Sequence, residues 1–300
     1  MTTQAFGPPA VEGGPLAVAW LGEVPYAETL DFQHRLREAR VADQIGDTLL
    51  LLEHVPVYTR GRRSTPDELP FGEAWYAERG IEIVDVRRGG KVTYHGPGQL
   101  VGYLIAKTPD VIWIVRALER AMLAVAHGHG VDAHGRNAEG IEFTGAWVEH
   151  RKLGSIGLHL SRQVTTHGVG LNVVTDLEPF TWVVPCGLTD PMTSLARETN
   201  APDLGSDPGL DREPIMRRVA AQFAAALARE LQVETVEADI AALRAAAEAA
   251  PEPRVRPATP PRPAGDASGA GTPVPIGRPA DSATPPPEAP VAREHGADNR

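Results

Sequence analysis

Residues 87–105 read RRGGKVTYHGPGQLVGYLI. Gly96, Gly98 and Gly102 fit G-x-G-x-x-x-G, one step from the fingerprint that holds a dinucleotide pyrophosphate. That fingerprint needs a strand before the glycines and a helix after them, so that the phosphates meet a helix N-terminus. Here the glycines run into QLVGYLIA, which is apolar and strand-like, and Pro97 stiffens the middle of the loop. A strand thus stands where the dinucleotide fold requires a helix. The stretch reads instead as a tight connection between strands, in which glycine supplies positive φ at no steric cost. The motif G-x-x-x-x-G-K-[ST] is also absent from the sequence, so no P-loop is present.

Outward from this loop, strand-like and helix-period segments alternate. Upstream, residues 26–43 (YAETLDFQHRLREARVAD) predict an amphipathic helix, DTLLLLEH a short buried strand, and GIEIVDVRR an alternating strand that feeds the glycine loop. Downstream, TPDVIWIVRALERAMLAVAH predicts a helix with a buried face, Thr-Pro-Asp supplying N-cap, N1 and first turn. Residues 145–173 (GAWVEHRKLGSIGLHLSRQVTTHGVGLNV) predict several strands punctuated by glycine, and REPIMRRVAAQFAAALARELQV a closing helix. No internal repeat is visible. The pattern is α/β or α+β, a mixed sheet with helices packed on it.

Composition bounds the folded part. From Pro251 to Arg300 there is no Leu, Phe, Trp, Tyr, Met or Cys, and thirteen of the 28 prolines lie there. Such a segment cannot bury enough apolar surface to offset its ordering entropy and is expected to be a disordered tail. Residues 1–14 are expected to be flexible, leaving residues 15–250 as one large domain. The formal net charge of −10, with no basic patch, argues against nucleic acid or an anionic membrane surface as partner. No run of 18 apolar residues exists, and MTTQAFGPPAVEGGP has neither the charged nor the apolar region of a signal peptide. The single cysteine, Cys186, allows no intramolecular disulfide, which fits a reducing cytoplasm.

Few residues carry candidate chemistry. Cys186 sits in WVVPCGLTD between Pro185 and Gly187, a turn after an apolar run. A nucleophilic cysteine needs a base or cation beside it, and the candidates are Lys152, His95, His150, His159 and His167. Lys152, in EHRKLGSIGLHL, stands among apolar and glycine neighbours; desolvated there, its pKa would fall and it would serve as a base. His127, His129 and His134 follow no metal-site spacing and read as a loop after a helix, so no metal is expected.

Four stretches together resemble one family: LLLLEHVPVYTRGRRS, RRGGKVTYHGPGQLVGYLI, RKLGSIGLHL with HGVGLNV, and VPCGLTDPMTSL. Over roughly residues 15–245 they look like the octanoyltransferases, the lipoyl(octanoyl) transferases of lipoate formation. The resemblance implies the fold shared by the catalytic domains of biotin and lipoate protein ligases. It implies transfer of an octanoyl group from octanoyl-acyl carrier protein to a lysine of a lipoyl domain, in 2-oxoacid dehydrogenases and the glycine cleavage H protein. Cys186 would be the acyl-thioester nucleophile and Lys152 the base that lowers its pKa. Arg88, Gly89, Gly90, Lys91, Val92, Thr93, Tyr94 and His95 would line the acyl site with Ser155, Ile156 and Gly157 and with Gly168, Val169 and Gly170. Ser155 stands where the family often has alanine, and Val169-Gly170 replaces an apolar-Ala pair. Both changes touch the pocket lining and bear on chain-length preference.

An acyl chain needs a narrow apolar slot, and glycines let backbone close around it while their N–H groups face the developing oxyanion. Lys91 is expected to point to solvent. No cofactor is expected, because the thioester is already activated. Docking of acidic partner proteins calls for a local basic rim, for which Arg60, Arg62, Arg63, Arg87 and Arg88 are candidates. Two rival readings stand beside this one. An ATP-dependent lipoate or biotin ligase would need no nucleophilic cysteine, and a non-catalytic binding module would leave Cys186 inert.

Overall fold

The buried run LLLL decides the layering. Strand β2 (Thr48–His54) is buried along its whole length. Successive strand side chains face opposite ways, so Leu49 and Leu51 enter one apolar cluster while Leu50 and Leu52 enter another. A strand sunk on both faces requires helices above and below it. The computed structural model, which describes residues 14–183, 190–199, 204 and 211–253, has that arrangement.

A seven-stranded mixed sheet forms the centre. Its strands are β1 (Leu16–Val24), β2, β6 (Gln99–Ile105), β7 (Gly145–Val148), β8 (Arg151–Ser161), β9 (Val164–Asn172) and β10 (Thr235–Glu237), in the order β10-β1-β2-β6-β9-β8-β7. β1 runs parallel to β10 and β2, and the remaining neighbours are antiparallel. On one face lie α3 (Val111–Gly128) and α5 (Arg212–Leu231), whose Leu118, Met122, Val219 and Phe223 join Leu49 and Leu51. On the other lie α1 (Tyr26–Val41) and α6 (Ile240–Ala249), through Tyr26, Leu36, Leu243 and Ala247. Each fully buried leucine contributes about 2–3 kcal/mol. A second, three-stranded sheet has the order β4-β3-β5, from β3 (Val57–Arg60), β4 (Glu82–Asp85) and β5 (Thr93–His95). It carries its own aromatic cluster around Tyr58, Tyr76, Tyr94 and Phe180, beside the short α2 (Glu73–Ala77), and a single turn, α4 (Leu195–Glu198), precedes α5.

Four sequence expectations change in detail. The residue that caps α3 is Asp110, whose side chain accepts from Ile112 N at 2.9 Å and Trp113 N at 3.0 Å. Thr108, expected as the cap, lies two residues outside and accepts from Asp110 N instead. A carboxylate reaching two free N–H groups of the first turn, at the positive end of the helix dipole, outcompetes the hydroxyl. The inner face of α1 is not an apolar stripe, because Gln33, Arg37, Glu38 and Arg40 are buried on it. Ion pairs make that possible: Arg40 with Asp47 at 2.8 Å, and Glu38 with both Arg37 and Arg162. α5 does not close the chain, for Gln232 caps it in the left-handed conformation and β10 and α6 follow. Finally, the glycine loop joins two different sheets, since β5 and β6 never pair with each other.

The flexible N-terminus expected for residues 1–14 and the tail expected for 251–300 fall almost wholly outside the described residues, as does Cys186. No helix among the described residues is long and apolar enough to cross a membrane.

Candidate active site

Strand register brings the candidate segments together. β8 and β9 pair Ser155 with Gly170, Ile156 with Val169 and Gly157 with Gly168. β9 also pairs with β6, setting Gly170 opposite Val101 and Gly168 opposite Tyr103. Over this floor crosses the loop that begins at Arg88. Gly89 N donates to Leu158 O at 3.1 Å. A Cβ on Gly157 would stand 3.1 Å from Arg88 Cδ, so the close approach of loop and strand requires the missing side chain. Arg88 is itself buried; Nη2 donates to Thr59 O and Oγ1, both at 2.7 Å, and Nη1 to Gly89 O at 3.0 Å. The backbone of Arg62 and Arg63 donates to Arg88 O and Gly90 O, which fastens the loop from its other side.

These elements enclose a cavity of about 1000 Å³, the size that takes a small organic ligand. Residues 88–93, His95, Lys152, residues 155–157 and residues 168–170 line it. Tyr94 does not. Neighbours on β5 face opposite ways, so Tyr94 turns into the aromatic cluster of the small sheet, 5.5 Å from Tyr58 and 5.3 Å from Phe180 between ring centres. Lys91 is not a solvated lysine, because its Nζ pairs at 3.2 Å with Glu68, a buried carboxylate that also accepts from Val92 N.

Lys152 is only 7% exposed. It is the second residue of β8, opposite Trp147, and its Nζ lies 5.0 Å from the centre of that ring and 3.4 Å from Glu142 O. Its main chain holds the segment that follows Cys186 in sequence: Lys152 N donates to Pro191 O and Thr193 N to Lys152 O, each at 2.9 Å. Of the other neighbours considered for the thiol, His95 and His167 line the cavity, His150 sits in an exposed turn and His159 is half-buried on β8.

One wall of the cavity is a buried group of tyrosines and histidines. His54 Nδ1 donates to Val24 O at 2.8 Å, so its Nε2 accepts from Tyr103 OH at 2.7 Å. His95 lies 5.8 Å from His54 and 6.1 Å from Tyr26 between ring centres. Burial lowers the His54 imidazole to about 4; burial, then His54 and Arg88, lowers His95 to about 3. His167, in the left-handed region at φ 61°, has an Nε2 with no hydrogen-bond partner. Sequence reading missed Tyr26, Tyr103 and the start of α3, and also two apolar residues at the lining, Ile112 and Ile141, that are 61% and 70% exposed. The exposed isoleucines have no sequence signature, since each sits in a locally ordinary stretch.

The expected basic rim is thinner than the sequence suggests. Arg60 is held by Asp85 and Glu73, and Arg88 is buried, which leaves Arg62 and Arg63 exposed and Arg87 half-buried.

Residues 25–224 match the lipoyl protein ligase A/B catalytic domain. Among curated relatives, the octanoyltransferase of Chloroflexus aurantiacus is 43% identical over 229 residues, covering 74% of this chain and 98% of its own. That of Dictyoglomus thermophilum is 41% identical over 186 residues, covering 62% and 78%. Among solved structures, a bipartite lipoate protein ligase from Thermoplasma acidophilum superposes with a TM-score of 0.57 at 13% identity, covering 79% of this chain and 91% of its own. A lipoate-protein ligase A bound with ATP gives 0.56 at 15%, covering 79% and 93%. At such identities the two structures speak for the fold alone, the mixed sheet with helices on both faces. The sequence matches go further, and on them the chain belongs to the octanoyltransferases of the lipoyl protein ligase A/B catalytic-domain family and is an acyltransferase.

Proposed function

We propose that the chain transfers an octanoyl group from octanoyl-acyl carrier protein to a lysine of lipoyl domains, by way of a thioester on Cys186. The observation that carries this reading is the burial of Lys152 at the cavity, clamped by its own backbone to Pro191 and Thr193. Those residues stand a few positions beyond Cys186 in the sequence.

Neutral Lys152 takes the Cys186 proton, and the thiolate attacks the thioester carbonyl of the carrier protein. The tetrahedral oxyanion collapses, a new C–S bond remains, and the pantetheine thiolate leaves with the proton from Lys152. The acceptor lysine, as free amine, then attacks the enzyme thioester. Its proton passes to Lys152, and the amide forms as Cys186 departs. Octanoyl is a C8 chain, and the apolar part of the lining, Ile156, Leu158 and Val169, gives it a wall.

An ATP-dependent ligase on the same fold is the rival reading. Transfer from octanoyl-acyl carrier protein to a lipoyl domain in nucleotide-free buffer separates the two. Transfer without ATP is the expected result, and strict dependence on ATP with free octanoate would overturn the reading.

A further inference from the structure

Gln99 is a polar side chain inside an apolar strand, and in the register of β6 and β9 it lies opposite Asn172. Both are almost fully buried, so their amides must be satisfied internally. Asn172 Nδ2 donates to Thr193 O at 2.9 Å. Gln99 Nε2 donates to Asn172 Oδ1 at 2.9 Å and to Tyr94 O at 3.3 Å. The orientation of each amide is fixed, because a backbone carbonyl only accepts and both NH₂ groups face one. Gln99 Oε1 is therefore the atom 2.6 Å from His95 Nδ1. An oxygen there accepts only, so the proton must sit on Nδ1 and Nε2 must carry a lone pair. The chain of bonds begins at Thr193, the residue whose N–H is held by Lys152. The one contact a Cβ on Gly170 would make closer than 3.0 Å is with Gln99 Oε1, so the glycine leaves the amide its place.

We infer that Gln99 and Asn172 are positioning residues of the transfer reaction: they lock His95 as the Nδ1–H tautomer so that its Nε2 accepts a hydrogen bond from a substrate N–H in the cavity. The inference rests on the octanoyl-transfer reading. In that reaction the acyl chain and the thioester carry no donor. The N–H groups available are the amides of the pantetheine arm and the amine of the incoming lysine, and an acceptor in the wall suits either. The groups that face the His95 ring are His54 from β2, Tyr26 from α1, Gln99 from β6, His167 from β9 and the Arg88 guanidinium from the loop. Burial with His54 and Arg88 holds the ring neutral at neutral pH, and a neutral ring is what the lone pair requires.

The lock is tested on the full chain by long-range ¹⁵N–¹H correlation NMR at pH 7, with His95 assigned by its loss in His95→Gln. A protonated Nδ1 with a bare Nε2 is expected; the opposite tautomer, or a fast mixture of the two, overturns the inference. The role is tested with Gln99→Glu, in which a carboxylate replaces the amide at the same length. It gives up the donations to Asn172 Oδ1 and Tyr94 O and still accepts from Nδ1–H, but its charge favours the imidazolium and so turns Nε2 into a donor. One half-reaction should slow at least about tenfold at pH 7, the size of one lost hydrogen bond. It should recover as pH rises through the raised His95 pKa, a limb absent from the wild type. Slowing in octanoyl-enzyme formation identifies the pantetheine amide as the donor, and slowing in discharge to a lipoyl domain identifies the lysine amine. Equal, pH-independent loss in both halves, or no loss in either, overturns the role. Should Gln99→Glu not fold, Gln99→Met, which removes the oxygen that accepts from Nδ1–H, must mix the His95 tautomers and slow the same half-reaction. A wild-type chain that shows the Nδ1–H tautomer but forms no octanoyl-enzyme would sink the transfer reading and, with it, the role of the lone pair, while leaving the lock in place.

Discussion

Replacing Gly98 by alanine should unfasten the joint between the glycine loop and the end of β9. Gly98 sits at φ 81°, where an L-residue with a Cβ is strained by about 1–2 kcal/mol. The added Cβ would lie 2.6 Å from Val174 O, 2.7 Å from Val174 C and 2.9 Å from Thr175 N. All three are backbone atoms, so no rotamer change relieves the overlap and the 173–175 segment must move. That segment is fastened to Gly98 O by Val173 N at 3.2 Å, Val174 N at 3.0 Å and Thr175 Oγ1 at 2.8 Å. Losing two of the three costs about 2 kcal/mol more. The sum is about 3–4 kcal/mol, or a fall in melting temperature of roughly 10 °C for a domain of this size. Gly89→Ala is the matched control, since its nearest atom is 3.7 Å away and its φ is not in the left-handed region. It should shift stability by no more than about 0.5 kcal/mol. Urea unfolding of both variants reads the difference, and a Gly98→Ala chain within about 1 kcal/mol of wild type would mean that the 173–175 segment yields without losing its bonds to Gly98 O.

Three further outcomes follow from the same geometry. Lys152→Arg should lose about 10²-fold or more in transfer rate, nearly as much as Lys152→Ala, because a guanidinium cannot become a neutral base near pH 7; an active arginine variant would make the role electrostatic only. Stability should fall as pH drops below about 6.5, because the unfolded chain takes up protons that the buried rings refuse until pH nears about 4 for His54 and about 3 for His95. Each ring contributes up to about 1.4 kcal/mol per pH unit in that window, and urea midpoints that stay flat from pH 7 to 5 would contradict it. Removing residues 254–300 should leave the melting temperature and the transfer rate nearly unchanged, as the tail's composition implies; a drop of more than a few degrees would mean that the tail packs on the domain.

The elements most legible in the sequence are those set by local pattern. The LLLL run of β2, the helical period of α3 and the break from glycines into QLVGYLI each required one solution. What the sequence concealed depends on register or on distant partners. Gln99 and Asn172 look like interruptions of apolar strands until β6 and β9 set them opposite each other. Lys91 looks solvated because Glu68, its partner, is brought to it only by the packing of the small sheet. β10 is three exposed residues, too short to carry a period, and it forms because β1 offers an edge. Tyr94 could have been placed from sequence alone: if Thr93 and His95 face the cavity from a strand, the residue between them faces away.

Intact mass after incubation with octanoyl-acyl carrier protein, without acceptor, reads the Cys186 thioester itself. Wild type should gain one octanoyl group, lose it to neutral hydroxylamine, and pass it to an added lipoyl domain. Cys186→Ala should gain none. A Cys186→Ala chain that still moves octanoyl to a lipoyl domain at near the wild-type rate would contradict the acyl-enzyme mechanism, and the same fold would then be catalysing direct transfer.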